Sequence, residues 1–422
     1  MTTNFATIIE RLAPFRDKLR KLEQEGTFLF HRQIEGAADS STQIEGRNVV
    51  LLASNNYLGL ANHPRVVESV RKGVGRFGFG SGSSRVLAGT MTVHRELEEK
   101  LAWFKGTEDC LLYSTGYMAN LGVICGLARA GDAVIVDALD HASIIDGVRQ
   151  SGARMRNFPH GDINELRNKL RSQQATENKL VVVDAVYSMD GDVCDLPSHA
   201  SIAAEENAIF VADDAHGTGV LGATGRGTCE HFGLTGKIDV MVGTLSKALG
   251  GVGGFAVGSR DIISFLRESS RPYIFNTSLP PVCCIAASTA IDVLIDEPQR
   301  LQKLRQNADY LRNGLKNIGF DTLDSQITPI IPVLIGDEQK LMQIVKMLLE
   351  RSIMTSPVMW PACKPNASRI RMSVMATHEK HEQDLVLDVM KDAFTRFGPF
   401  DFARGGAAED FVGLRSEATS LS

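Results

Sequence analysis

The sequence predicts an α/β protein, with a mainly parallel β-sheet covered by helices on both faces and a smaller α+β domain behind it. Short β-branched runs ("EDCLLYS", "DAVIVDA", "KLVVVDAVYS", "AIFVADDAH", "KIDVMVGT") alternate with helical patterns between about residues 51 and 290. Near residue 290 the pattern changes to long amphipathic helices separated by single strands. The 422 residues, 43% hydrophobic and 23% charged, allow a large soluble domain plus a smaller one.

Residues 1–50 read as a helical lead-in, broken by Pro14, followed by a short strand. Residues 51–290 form the expected large domain and 291–397 the small one. Within the latter, "EPQRLQKLRQNADYLRNGLKNIGF" is a long charged helix and "ITPIIPVLIGD" a strand, in which Pro332 favours an edge position. "EQKLMQIVKMLLERS" places Leu341, Ile344, Val345, Leu348 and Leu349 on one helical face. "SRIRMSVMA" is a further strand and "EKHEQDLVLDVMKDAF" a further helix. Residues 398–422, rich in Gly, Ala and Ser, read as a mobile tail.

Composition excludes several classes. A net charge of -5 without a dense basic stripe argues against nucleic-acid binding. No apolar run reaches the length of a membrane span. "MTTNFATIIERLAPFRDKL" carries charges where a signal peptide is apolar, so a cytoplasmic location is expected. Seven scattered cysteines form no CxxC pair, which reads as free thiols in a reducing compartment with no metal site.

In sheets of this kind ligands gather at the carboxyl ends of the strands. "GTLSKALGGVGGF" puts Lys247 at such an end, among small and apolar residues a solvated lysine does not need. Asp213 closes another strand, and His216 follows three residues later. An acid and a lysine on neighbouring strand ends suit pyridoxal phosphate, which needs an amine for its aldehyde and an anion to keep its pyridine nitrogen protonated. Thr115, Gly116 and Tyr117 of "YSTGYMANLG" stand at a helix start, where backbone N–H groups bind phosphate; the hydroxyls of Thr244 and Ser246 suit the other side. An ordinary tight turn explains that stretch equally well when it is judged alone. His141 of "DALDHASIIDG" suits stacking on the cofactor ring. Ser188 of "AVYSMDGD" and His216 suit its phenolic oxygen.

The runs "SNNYLGLANHP", "SRVLAGTMTVHRELEEKLAWFKG", "YSTGYMAN", "HASIIDG", "YSMDGD", "DDAHGTGVLG", "GTLSKALGG", "RPYIFNTSLPP" and "SRIRMSVMATHE" follow one another over about residues 20–395. In them the chain resembles the α-oxoamine synthases, pyridoxal-phosphate enzymes of fold type I. The resemblance implies a seven-stranded sheet and a decarboxylative condensation. In that reaction a small amino acid (glycine, alanine or serine) joins an acyl-CoA or acyl-carrier-protein thioester, giving an α-amino ketone. Carried onto this chain, it implies Lys247 as covalent anchor and proton carrier, Asp213 on the pyridine nitrogen and His141 over the ring, where it can polarise the thioester carbonyl. His216 and Ser188 would lie near the phenolic oxygen, and Thr115, Gly116, Tyr117, Thr244 and Ser246 near the phosphate. It implies a homodimer with Thr277 reaching the partner's phosphate, Arg371 pairing with the substrate carboxylate, and Asn55 close by. Arg369 reads as a structural ion-pair partner, and His94 has no assignable chemical role. Asp140 and Trp360 depart from the family pattern. The alternatives are a glycine C-acetyltransferase, an aminotransferase on the same fold, and an inactive scaffold. "GFGSGSS" spaces its glycines like a dinucleotide loop, but no strand precedes it.

Overall fold

Strands form where β-branched residues run together, and their order decides which loops meet. The computed structural model describes residues 31–173, 178–360 and 362–400, with scattered positions between 9 and 20. Most of the expected helical lead-in, and the expected tail beyond residue 400, lie outside the described residues.

β1 (Ser41–Ile44) and β2 (Arg47–Leu51) make an antiparallel hairpin. Next come β3 (Asp109–Tyr113), β4 (Ala133–Asp137), β5 (Arg154–Phe158), β6 (Lys179–Asp184), β7 (Ile209–Asp213), β8 (Val240–Thr244) and β9 (Gly254–Gly258). They build one seven-stranded sheet in the order β3-β9-β8-β7-β6-β4-β5. β4 to β8 pair in parallel, whereas β9 runs antiparallel to β3 and β8.

β5 and β9 are not among the runs read from the sequence. β5, "RMRNF", is an edge strand whose alternate residues face water, so it lacks an apolar run. β9, "GFAVG", is wholly buried and bounded by glycines, which admit close backbone approach. A Cβ on Gly254 would lie 2.3 Å from the Thr115 carbonyl oxygen.

Both faces of the sheet are covered, so its inner strands read as continuous apolar runs. Along β6, Val181 and Val183 enter one core with Leu97, Leu101 and Phe255, while Leu180 and Val182 enter the other with Val123, Ile124 and Val211.

β10 (Ile330–Gly336), β11 (Ile353–Met354), β12 (Ser356–Val358) and β13 (Ser368–Ser373) follow. β11 joins β2 in parallel, and the others form an antiparallel sheet in the order β10-β13-β12, with Pro332 on an edge strand. Helices Gln299–Ile318, Glu338–Glu350 and Lys380–Phe397 pack on it around Leu311, Ile344, Ile370 and Val389. Leu341, Ile344, Val345 and Leu348 are buried as the helical pattern predicts, but Leu349 is only partly covered and Met342 is buried in addition. β13 ties this region to the larger sheet, since Arg369 pairs with Asp190 in the loop after β6.

Two polar residues lock the frame. His94 is fully buried; its Nδ1 accepts the Met91 N–H at 3.1 Å and its Nε2 meets the Leu279 carbonyl at 2.7 Å, so its role is structural. Lys105 Nζ donates to Asp214 Oδ2 at 2.6 Å, the Arg226 carbonyl at 2.6 Å and Thr218 Oγ1 at 3.1 Å. Asp214 also accepts the backbone N–H and hydroxyl of Thr228. This buried pair holds the loop that leaves β7 directly after Asp213. The described cysteines are all free thiols, and no helix among the described residues is long and apolar enough to cross a membrane.

Replacing Lys105 by Met leaves the Asp214 carboxylate buried without its cation. Thermal or denaturant unfolding should show a loss of roughly 3–5 kcal/mol. A loss below about 1 kcal/mol would mean that the pair does not anchor this loop.

Candidate active site

The carboxyl ends of β4, β6, β7 and β8 open on one cavity of about 260 Å³. Lys247 and Asp213 line it together, and His141, Ser188, His216, Thr244, Ser246 and the Thr115–Tyr117 turn complete most of its wall. Asn55, Arg371 and Thr277 lie outside that lining.

Asp213 sits where β7 ends. Its Oδ1 accepts the Ala215 N–H at 2.8 Å and its Oδ2 accepts Asn120 Nδ2 at 2.6 Å. No cation among the described residues lies within 4.0 Å of it, so its charge is left for the cavity. Lys247 follows β8 and its Nζ likewise has no hydrogen bond or ion pair among the described residues. Burial, helped by the positive charge of Arg371 and opposed by Asp213 and Asp184, brings its pKa down from 10.5 to about 8.

The Gly116–Leu127 helix begins at the cavity with Thr115 as its N-cap, whose hydroxyl accepts the Met118 N–H. The N–H groups of Gly116 and Tyr117, at the first two helical positions, lie at its positive end. A Cβ on Gly116 would lie 3.0 Å from the Thr244 Cβ and 3.1 Å from its hydroxyl, crowding this cradle. On its far side the hydroxyls of Thr244 and Ser246 lie 2.7 Å apart.

His141 is the N-cap of the Ala142–Ser151 helix. Its Nδ1 accepts the Ser143 N–H at 3.2 Å and lies 2.7 Å from the Ser143 hydroxyl. Burial lowers its pKa, so the ring is neutral near pH 7 and carries its proton on Nε2. His216 is also neutral, because burial and the cations Lys247 and Arg371 push its pKa far down.

Arg371 projects from β13 to the rim. Its Nε donates to the Ser188 carbonyl at 2.5 Å, its Nη1 to Ser373 Oγ at 2.8 Å, and both terminal nitrogens to Asn55 Oδ1 at 3.3 Å. It is 7% exposed, yet no carboxylate among the described residues pairs with it. Thr277 is exposed on the outer surface, where its carbonyl accepts the Ser114 hydroxyl.

The aminotransferase class I and II family model matches residues 47–390. An 8-amino-7-oxononanoate synthase of Bacillus velezensis is 42% identical over 376 residues, 89% of this chain and 96% of that protein. A serine palmitoyltransferase of Sphingomonas wittichii superposes with a TM-score of 0.89 at 32% identity, covering 93% of this chain and 99% of the other. The serine palmitoyltransferase of S. paucimobilis, solved with a pyridoxal phosphate–myriocin aldimine, gives 0.88 at 34% identity, with 92% and 99% covered. The chain belongs to the α-oxoamine synthase branch of the class I and II aminotransferases.

Pyridoxal phosphate fits this donor set. An amine and a carboxylate, neither ion-paired among the described residues, share the cavity with a helix N-terminus that a Cβ on Gly116 would crowd.

Several residues escaped the sequence reading. Asn120 lies one turn inside the quoted "YSTGYMAN" run, and its Nδ2 bridges Asp213 and Ser143 Oγ, at 2.6 and 2.8 Å. Asp184 ends β6 opposite Asp213 and also lines the cavity. Burial and the Asp213 charge push its pKa well above the usual carboxylate range. The unusual Asp140 stands behind it, accepting the N–H groups of Asp137 and Asp184. The exposed Trp360 makes a backbone hydrogen bond to Glu338 and does not line the cavity. Tyr57, in "SNNYLG", bonds His216 directly.

A lysine attacks an aldehyde through its neutral form, which dominates above its pKa. Aldehyde capture by cofactor-free protein should therefore be half-maximal near pH 8, the value burial imposes on Lys247. A midpoint above pH 10, that of a solvated lysine, would contradict the described environment.

Proposed function

We propose that this protein is a cytoplasmic, pyridoxal-phosphate-dependent C-acyltransferase. It condenses a small amino acid with an acyl-CoA or acyl-carrier-protein thioester, releasing carbon dioxide and the free thiol and leaving an α-amino ketone. The observation that carries this reading is that Lys247 and Asp213, neither in an ion pair among the described residues, line one cavity with an uncompensated arginine at its rim.

When bound, the cofactor supplies an electron sink for the carbanion at the amino acid's Cα. The chain does the rest. Asp213, oriented by Asn120 and the Ala215 N–H, would hold the proton on the pyridine nitrogen. The Gly116 and Tyr117 N–H groups and the Thr115, Thr244 and Ser246 hydroxyls would hold the phosphate. Arg371 forks onto the substrate carboxylate, with Asn55 fixing the guanidinium plane. The Lys247 amine, neutral above about pH 8, takes and returns the Cα proton. His141 would lie over the ring and offer its Nε2–H to the thioester carbonyl, where negative charge grows as the new carbon–carbon bond forms. Ser188 and His216 would serve the phenolic oxygen.

Two copies complete each site, Thr277 of each reaching the other's phosphate. Support comes from the surface around Thr277: it bridges to Ser84, and Phe79, Leu87 and Phe275 nearby in sequence are 74%, 78% and 71% exposed. The free thiols support a reducing compartment. The product that names the curated relatives bears a methyl group on its amine-carrying carbon, so alanine is the first amino acid to test, ahead of serine and glycine.

Titration of the loaded protein with alanine, serine and glycine should change its visible spectrum. Mass spectrometry with acyl thioesters of graded length should then find a product equal to both substrates less carbon dioxide and thiol. Lys247→Ala should lower turnover by about 10³-fold or more. Turnover retained in that variant, or transfer of the amino group to a keto acid in place of condensation, would overturn the proposal.

A further inference from the structure

Tyr57 is fully buried, and its hydroxyl sits where His216, Asn55 and Arg371 meet. It lies 2.8 Å from His216 Nδ1 and 3.2 Å from Asn55 Oδ1, and Arg371 Nη2 donates to it at 3.4 Å. We propose that Tyr57 is a positioning residue that donates its single proton to His216 Nδ1, fixing the imidazole with its own proton on Nε2, toward the cavity.

Counting protons and lone pairs leads there. A phenol has one proton and two lone pairs, and a neutral imidazole has one N–H. Asn55 Oδ1 already accepts from both terminal nitrogens of Arg371 at 3.3 Å, and the Tyr57 hydroxyl lies farther from it, at 3.2 Å, than from His216 Nδ1, at 2.8 Å. Turning the amide over would set its NH2 against the guanidinium, donor against donor. Were the imidazole proton on Nδ1, Tyr57 would accept it and keep only the longer contact for its own proton, to an oxygen that Arg371 already occupies twice. Donation from Tyr57 to His216 leaves no such conflict. Nor does His216 carry both protons, because burial, with the charges of Lys247 and Arg371, pushes its pKa far down. Arg371 donates to the same phenolic oxygen, which polarises the O–H toward the histidine. The substrate-carboxylate arginine and the cavity-facing histidine are thus joined through one hydroxyl.

The consequence rests on the condensation reading. A fixed Nε2–H is a donor for an anionic oxygen in the cavity, and such a donor favours the more negative, deprotonated state of a bound group. Without the Tyr57 hydroxyl the imidazole can take either tautomer, and the donor is lost part of the time.

The test uses the full-length, cofactor-loaded protein. In the wild type, ¹⁵N resonances of His216 should show an unprotonated Nδ1 and a protonated Nε2. Tyr57→Phe, which keeps the buried ring, should move the pH midpoint of the visible absorption band upward by about one unit, the scale of one hydrogen bond to a charged oxygen. His216→Asn and the double variant Tyr57→Phe/His216→Asn should share one midpoint. A proton on Nδ1 in the wild type overturns the inference, as does an unmoved midpoint in Tyr57→Phe or an equal shift with and without His216. If Tyr57→Phe fails to load, the wild-type resonances alone decide. A wild type lacking any visible band would instead sink the cofactor reading.

Discussion

The arrangement turns on one constraint: a half-buried amine and a buried carboxylate line the same cavity without forming an ion pair. Burial of an unpaired charge is expensive, so a protein keeps one only where a ligand or a fixed set of dipoles compensates it. Lys247 meets the cost partly by shedding its proton more readily, as its pKa near 8 shows. Asp213 meets it with an amide and a backbone N–H. Neither solution satisfies the group fully, and the remainder is what the cavity offers to a ligand. Arg371 repeats the pattern at the rim, where neutral oxygens surround a guanidinium that no described carboxylate balances.

The sheet makes this possible because parallel strands end together. Asp184 and Asp213 face each other in register across β6 and β7, and Asp213 is paired with Val242 two residues before Thr244. Lys247, His141, Ser188, His216 and Ser246 all follow within a few residues of those ends. The buried Lys105–Asp214 pair and the Arg369–Asp190 pair then hold the two loops that carry Asp213 and Ser188. The second clamp comes from β13, the strand that also carries Arg371, so the smaller sheet helps to position the cavity mouth.

Much of this was legible in the sequence. The β-branched runs gave the inner strands, and the position of Lys247, Asp213 and His141 after such runs placed them at the carboxyl ends. β9 was hidden because its short glycine-bounded run merges with the glycine-rich stretch before it, and β5 because an edge strand needs no apolar face. The supporting residues were harder still. Asn120, Ser143, Asp184 and Tyr57 act through side-chain hydrogen bonds between segments far apart in the chain, and no periodicity records such contacts. Asn120 and Tyr57 lie inside runs already singled out for their neighbours, but only the three-dimensional arrangement reveals that each orients another side chain.

The hydrogen-bond networks share a logic. Asn120 and Ser143 connect Asp213 to the Nδ1 side of His141, as Tyr57 connects Arg371 to the Nδ1 side of His216. In each case a neutral imidazole is left with one free N–H, and in each case that N–H belongs to the cavity. The central claim remains the covalent one, and it has a direct measurement. Borohydride reduction of the loaded protein, followed by proteolysis and mass spectrometry, should place the cofactor's added mass on the peptide containing Lys247 and on no other lysine. Label at a different lysine, or none in a protein that holds the cofactor, would contradict the account.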